Sequence, residues 1–331
     1  MDTKNTKDYS ASSITVLKGL EAVRKRPAMY IGGTDKTGLH HMIWEIVDNG
    51  IDEALAGFAT AIKVTINEDG SVTVYDDGRG IPVDIHPTEK KSALELAATV
   101  LHAGGKFDKD SYKVSSGLHG VGLSVVNALS EYAFIEVYKN GQIYKQEYKE
   151  GVPQTEVVTL GKTELRGTSV TFKPDSKIFE TVEFDSKKIL DRLRQHAYLN
   201  GGIKFEFVDK RKGNFKYAFF FEGGLKSYVR HINKHLKPIH KEIFHTQGQI
   251  DGVEIEVALQ YTDDLQTREY PFANNVFTAD GGTHLTGLRT ALTKTINNYI
   301  YEHGTEKDKS LSILGDDVRE GLNSSGISQS I

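Results

Sequence analysis

The stretch WEIVDNGIDEALAG, Trp44–Gly57, decides how the rest of the chain is read. Ile43, Ile46 and Ala54 recur at helical spacing, while Glu45, Asn49 and Asp52 fall within about 60° of one another on the opposite side. So far this is an amphipathic surface helix. Asn49 and Gly50 strain that reading, because both are poor helix formers and a mid-helix glycine costs about 0.8 to 1 kcal/mol relative to alanine. A local cost inside an otherwise consistent element points to a functional site. An asparagine oxygen suits Mg²⁺, and a glutamate one turn away can polarise a water.

Two further stretches carry chemistry. VYDDGRGIP, Val74–Pro82, runs a strand into Asp76, Asp77 and two glycines. An aspartate at a strand end can accept a hydrogen bond from a ligand amino group while the glycines leave room for a flat ring. Asp-Gly is equally an ordinary turn dipeptide. SSGLHGVGLSVVNALS, Ser115–Ser130, spaces Gly117, Gly120 and Gly122 as G-x-x-G-x-G ahead of a helix. That is neither of the two best-known phosphate-loop patterns. It shares their physics, since glycines let the backbone approach a ligand and a helix N-terminus presents N–H groups to an anion. A plain helix-entry loop would look the same.

The 331 residues are 38% apolar and 26% charged, which suggests about two domains with packed cores. No apolar run is long enough to span a bilayer and MDTKNTKDYS lacks a signal-peptide core, so the expectation is a cytoplasmic protein with no membrane partner. The absence of cysteine excludes disulfides, thiolate zinc sites and a cysteine nucleophile, and any metal must sit on oxygen or imidazole. A formal net charge of -4 argues against a strong nucleic-acid binder unless basic residues are concentrated locally. Lys18, Arg24, Lys25 and Arg26 form one such concentration, although short charge runs are usually solvated faces.

Residues 1–13 read as a polar arm, followed by helices over about 14–25 and 38–56 and a hairpin of IKVTI (62–66) and SVTVYD (71–76). The glycine-, lysine- and serine-rich segment 102–122 is too long for a simple connection and reads as a lid or binding loop. FIEVY, QIYKQEY and TSVTFKP follow as antiparallel strands, then a helix over about 185–199 and the strands IKFEFV and KYAFFF. The pattern changes at Glu222, Gly223 and Gly224, ahead of helices over about 225–236 and 284–301 and strands around 253–261. A domain boundary is placed near 222. Strands and helices do not alternate one for one, which favours an α+β class with mixed or antiparallel sheets over a doubly wound parallel sheet.

Taken in order, EIVDNGIDEA, DDGRGIP and GLHGVG resemble the nucleotide site of the GHKL ATPases. SSITVLKGLEAVRKRPAMYIGG, HAGGKFDKDSYKVSSGLHGVGLSVVNALS and DGGTHLTGLRTAL narrow the resemblance to the ATPase region of the gyrase B family of type IIA topoisomerases, with the B protein of topoisomerase IV somewhat less similar. The similarity spans about residues 9–322. It implies a GHKL (Bergerat) α/β sandwich over 1–222, with a dimerisation arm over about 1–14. It further implies an incomplete ribosomal-S5-like transducer domain over 223–322, which leaves a polar tail over 323–331 that is expected to be disordered.

By that resemblance, Glu45 is the general base on the attacking water and Asn49 a Mg²⁺ ligand. Asp76 accepts from the adenine amino group, with Thr168 supporting it through a water; Gly80, Ile81 and Pro82 line the adenine pocket and Arg79 lies along its rim. Lys106, Tyr112 and the backbone of Gly117, Leu118, His119, Gly120, Val121 and Gly122 hold the phosphates within a lid. Tyr9 and Ile14 reach into the site of the partner copy and make a homodimer ATP-dependent. ATP and Mg²⁺ are the implied cofactors. Double-stranded DNA and the gyrase A protein, in an A2B2 enzyme, are the implied partners, with ATP hydrolysis driving strand passage and supercoiling.

Ser116 stands where the family usually has glycine, and Lys139 where many members have an arginine at the pocket mouth. The family continues after REGL with a strand and a Gln-Thr-Lys loop whose lysine reaches the γ-phosphate, whereas this sequence reads REGLNSSGISQSI and ends. ATP binding with weak hydrolysis is therefore expected of this polypeptide. The alternatives are a nucleotide-dependent dimerisation module without meaningful catalysis and the equivalent region of the topoisomerase IV B protein.

Overall fold

The computed structural model describes residues 17, 19–103, 120–309 and 313–330. Helices α1 (Glu21–Lys25) and α2 (Ala28–Ile31) precede the long α3 (Lys36–Leu55). Asp35 fixes the start of α3, its carboxylate accepting from the N–H groups of Thr37 and Gly38. Strands β1 (Ala61–Ile66) and β2 (Val72–Asp76) form the expected antiparallel hairpin. Helices α4 (Ala93–Thr99) and α5 (Gly122–Ala128) come next. A run of strands follows: β3 (Ser130–Lys139), β4 (Gln142–Lys149), β5 (Val152–Pro153), β6 (Val158–Lys162) and β7 (Gly167–Pro174). Helix α6 (Ser186–Leu199) and strands β8 (Lys204–Asp209) and β9 (Phe215–Phe219) complete the first unit.

Its sheet runs β5-β4-β3-β7-β2-β1-β8-β9, with β6 on β4. β1 pairs antiparallel with β2 and parallel with β8, which makes the sheet mixed. Alternation decides which face is covered. Ile62, Val64 and Ile66 of β1, Val72 and Val74 of β2, and Val170 and Phe172 of β7 join one core with Leu39, Met42, Ile43, Val47 and Ile51 of α3. Apolar side chains of α4, α5 and α6 close the same core.

The second unit begins with α7 (Gly224–Ile232), β10 (Phe244–Ile250), β11 (Val253–Tyr261), β12 (Arg268–Ala273) and β13 (Val276–Phe277). It continues through α8 (Thr283–His303), α9 (Glu306–Lys309), α10 (Gly315–Arg319) and β14 (Leu322–Ser330). The sheet order is β10-β11-β14-β12-β13. The expected disordered tail over 323–331 is therefore corrected: up to Ser330 it is the middle strand. β14 runs antiparallel to β11 from Tyr261↔Leu322 to Val253↔Ser330 and parallel to β12. NSSGISQS offers a single large apolar residue, Ile327, so it has no alternation to announce a strand. Two backbone ladders hold it instead, and small polar side chains fit the interior: Asn323, Ser324 and Ser325 are at most 1% exposed.

α7 packs Leu225 and Val229 with Ala258, Phe272, Ile327 and, from α6, Leu199. Leu288 and Leu292 of α8 pack instead with Val257, Leu259 and Leu322. Tyr198 of α6 stacks on Phe221 at 4.0 Å and on Tyr228 of α7 at 5.0 Å, so aromatic rings join the two units. Among the described residues no helix is long and apolar enough to cross a membrane.

Candidate functional site

Period two carries the Asp76 side chain to the same face of β2 as the buried Val72 and Val74. A carboxylate thus occupies the position where the pattern would bring a third apolar residue. Glycines make its space. A Cβ on Gly50 of α3 would come within 3.2 Å of the Asp76 Cβ and 3.0 Å of Ile62 Cδ1. One on Gly78 would lie 2.8 Å from both Asp76 Oδ1 and Glu53 Oε2. Gly167, at φ +117, leads into Thr168, which faces Asp76 across the ladder, and a Cβ there would overlap the Asp76 carbonyl oxygen.

Asp76 Oδ1 accepts from the Gly78 N–H at 3.0 Å, and Thr168 Oγ1 accepts from the Ile81 N–H at 3.2 Å. Burial pushes the Asp76 carboxyl up to about 7 against the pull of the Gly78 N–H, and the Glu53 carboxylate adds to the rise. The side chain remains half-buried, so a desolvated acceptor keeps one side open. Its neighbour Asp77 does different work, accepting from the N–H groups of Thr60 at 2.6 Å and Ala61 at 2.8 Å at the start of β1.

The segment from Gly78 to Pro82 is pinned from both sides. Arg79 folds back onto Glu53, 2.7 Å to Oε1 and 3.1 Å to Oε2, with its guanidinium 4.0 Å from the centre of the Phe58 ring. Lys139 Nζ donates to the carbonyls of Arg79 at 2.9 Å and Gly80 at 3.0 Å. Gly80 takes φ +72 with no room for a side chain beside Gly167 O and Val137 Cγ1. Ile81 is half-buried and Pro82 exposed.

α3 supplies Glu45, Asn49 and Glu53 on one stripe at steps of four residues. His41, one turn before Glu45, places Nδ1 3.4 Å from Glu45 Oε1. The Glu45 carboxylate raises the His41 imidazole above its usual value, in opposition to burial. A Cβ on Gly122 would overlap Glu45 Oε2, so glycine there lets the first turn of α5 rest against the glutamate, with Gly120 (φ +59) and Val121 leading in. Asp52, expected on the polar face with Glu45 and Asn49, is fully buried. α3 packs against α5 as well as β1 and β2, and its buried side is wider than the apolar spacing alone implied.

The structure thus gathers Glu45, Asn49, Asp76, Arg79, Gly80, Ile81, Gly120, Val121, Gly122 and Thr168 around α3, the end of β2 and the start of α5. Tyr9, Ile14, Lys106, Tyr112, Gly117, Leu118 and His119 lie outside the described residues. Sequence reasoning passed over His41 and Glu53, although both stand four residues from a residue it chose. Among the described residues no group of three or more His, Asp or Glu is arranged to hold a metal ion.

Comparison with known proteins supplies the family. Residues 34–178 match the family of histidine kinase-, DNA gyrase B- and HSP90-like ATPases, and residues 224–324 match the DNA gyrase B family. The 43K ATPase domain of Thermus thermophilus gyrase B, solved with an aminocoumarin, superposes with a TM-score of 0.85 at 41% identity, over 94% of this chain and 81% of that one. This chain belongs to the DNA gyrase B family. The gyrase B protein of Thermotoga maritima is 52% identical over 322 residues, 95% of this chain and 50% of the relative. That of Chlamydia muridarum is 51% identical over 96% of this chain and 41% of the relative. The chain spans about half the length of these curated relatives. The topoisomerase IV ATP-binding domain of Francisella tularensis, solved with a small-molecule inhibitor, has a TM-score of 0.76 at 31% identity, over 95% of this chain and 82% of that one.

Proposed function

We propose that this chain is the ATP-binding and ATP-hydrolysing part of a gyrase-type type IIA topoisomerase. One observation carries the reading: a desolvated Asp76 carboxylate, walled by Gly50, Gly78 and Gly167, lies against the turn of α3 that bears Asn49. A flat heterocycle with an exocyclic amino group fits such an acceptor. Adenine donates to Asp76, Gly80, Ile81 and Pro82 line the ring, Arg79 braces their backbone, and Thr168 supports Asp76 through a water. The amide oxygen of Asn49 fits Mg²⁺, a hard cation that takes oxygen ligands and keeps waters and phosphate oxygens for its other positions. That ion, when bound, neutralises phosphate charge.

Glu45, beside His41, takes the proton of the attacking water. Lys106, Tyr112 and the backbone from Gly117 to Gly122 enclose the phosphates, while Tyr9 and Ile14 reach the partner copy in an ATP-dependent homodimer. The second unit is the transducer, in the cytoplasmic enzyme whose gyrase A component cleaves the DNA. ATP binding closes the DNA entry gate. Phosphoryl transfer draws several kcal/mol, roughly, from positive charge placed at the γ-phosphate. The topoisomerase IV counterpart is the second reading, with a lower identity of 31% against 41% for the gyrase structure.

Calorimetric titration with a non-hydrolysable ATP analogue and Mg²⁺, with mass measured before and after, tests binding and dimerisation together. Glu45→Gln should retain analogue binding while residual hydrolysis falls by about 10² to 10⁴. An equal loss of binding would count against the base role.

A further inference from the structure

We infer that His40 is a positioning residue for Glu45: its neutral imidazole ties the first turns of α3 to the N-cap of α6 and so sets the rotation at which α3 presents Glu45. The inference rests on the base role given to Glu45 above. Two adjacent histidines, His40 and His41, stand about 100° apart on α3. His41 shares its stripe with Glu45, whereas His40 is fully buried. A buried histidine on an apolar face is commonly a packing residue, but packing alone would not engage both ring nitrogens. Nδ1 lies 2.7 Å from the Lys36 carbonyl oxygen, and Nε2 lies 2.9 Å from the backbone nitrogen of Asp185. A carbonyl only accepts and a backbone N–H only donates, so the ring carries its proton on Nδ1 and none on Nε2. Burial holds the imidazole below its usual value, against the pull of the Lys36 carbonyl, and Lys188 adds to the lowering. Phe184 meets the ring edge-on at 5.5 Å and Trp44 lies at 6.5 Å.

The far end of the tie is itself fixed. Asp185 starts α6, its carboxylate accepting from the N–H groups of Lys187 at 3.0 Å and Lys188 at 3.3 Å and from Lys36 Nζ at 3.0 Å. The Lys36 ion pair and the contact of Lys188 with Thr37 are solvent-exposed, so water weakens both. The His40 bond is shielded. Leu39, Met42, Ile43 and Val47 hold α3 by apolar contact, which is non-directional and tolerates a small rotation. A hydrogen bond to a fixed donor does not. A helix is about 10 to 12 Å across with its side chains, so a turn of about 10° carries a carboxylate on its surface by about 1 Å. Misplacement of that size can cost a reaction about 10²-fold.

The test compares three substitutions in the whole chain. His40→Gln sets an amide oxygen at the reach of Nε2 and keeps the Asp185 N–H bonded. His40→Asn is shorter and bonds only the carbonyl four residues back, as Asn200 and Asn297 already do with His196 and Thr293. His40→Phe bonds neither. In His40→Asn and His40→Phe, kcat for ATP hydrolysis should fall about tenfold or more, while KM and calorimetric affinity for the non-hydrolysable analogue stay within about threefold of wild type. His40→Gln should return kcat to within about threefold of wild type. Without nucleotide, the His41 ring midpoint followed by NMR should move down in His40→Asn and His40→Phe, because the carboxylate that raises it is displaced, and should hold in His40→Gln. Wild-type kcat or an unmoved His41 midpoint in His40→Asn overturns the proposal, as does a loss of kcat that His40→Gln shares in full. The comparison of His40→Asn with His40→Gln decides even where His40→Phe does not fold. A wild-type chain that fails to bind the analogue sinks the nucleotide reading instead, and the His41 midpoints still judge the tie between α3 and α6.

Discussion

Two helices of nearly equal length serve the two sheets differently. α3 has 20 residues and buries ten of them, whereas α8 has 21 and buries none completely. Each carries an interior glycine. A Cβ on Gly50 would press on Ile62 and Asp76, while one on Gly287 would meet nothing within 4 Å. The first unit therefore over-determines its geometry: helix, sheet and carboxylate approach until hydrogen atoms stand where side chains would be. α8 touches its sheet through Leu288 and Leu292, and the order of that unit comes from β14 laddered on both sides. Precision is concentrated where the candidate site lies.

The largest test of that over-determination is Gly167→Ala. A side chain at φ +117 that overlaps the Asp76 carbonyl should cost roughly 3 to 5 kcal/mol in denaturant unfolding. A cost below about 1 kcal/mol would mean that β7 can slide away from β2 and the contrast fails. Asp76→Asn comes next, with opposite effects on function and stability. Affinity for the ATP analogue should drop by about 1 to 3 kcal/mol, because the ligand amino group loses a charged acceptor. The folded carboxyl titrates near 7, above the ordinary 3.8, so the stability associated with its protonated form is complete below pH 3.8 and lost as pH rises through 7. Asparagine cannot ionise. The variant should therefore gain thermal stability on the wild type at pH 8 compared with pH 4, and an equal gap at both pH values would show that Asp76 carries no burial cost.

The paired glycines sharpen the comparison most directly. Gly50→Ala should cost about 1 to 3 kcal/mol, because overpacking at that contact forces α3 off β1 and β2. Gly287→Ala should stabilise by about 0.5 to 1 kcal/mol, since an exposed helix interior gains from alanine. The same sign at both positions, read from chemical denaturation midpoints, would remove the distinction between the helices.

Much of this was legible wherever period and composition coincide with packing. Val72, Val74 and the Asp-Asp-Gly that follows announced the strand and its polar end, and the spacing of Glu45 and Asn49 announced the cleft side of α3. Gly50 was legible as a local cost, and its packing against Ile62 and Asp76 supplies the reason. Asp52 was misassigned because two packing partners widen the buried side of α3, which no single-helix pattern reveals. β14 was misread because a strand buried between two neighbours needs small side chains and backbone ladders, and its serines look like a linker. Lys139 stood out only as a departure; its bonds to the Arg79 and Gly80 carbonyls join residues about 60 apart in sequence.

The smallest effect tests the remaining link, from α3 to the base. His41 and Glu45 are one helical turn apart at 3.4 Å, with side chains 45% and 28% exposed, so water screens the pair and its worth is about 0 to 1 kcal/mol. The imidazole is nevertheless raised, with Glu45 as the first cause and Asp48 adding to it, while burial and Arg192 pull it down. A raised imidazole contributes its stabilisation fully below the unfolded value of 6.5 and loses it as pH climbs through the folded value. In Glu45→Gln the first cause is gone, so the His41 ring titration followed by NMR should move to lower pH while the other histidines hold their midpoints. A His41 midpoint that stays in place would mean the imidazole and carboxylate do not meet in solution, and α3 would then present Glu45 without a partner to orient it.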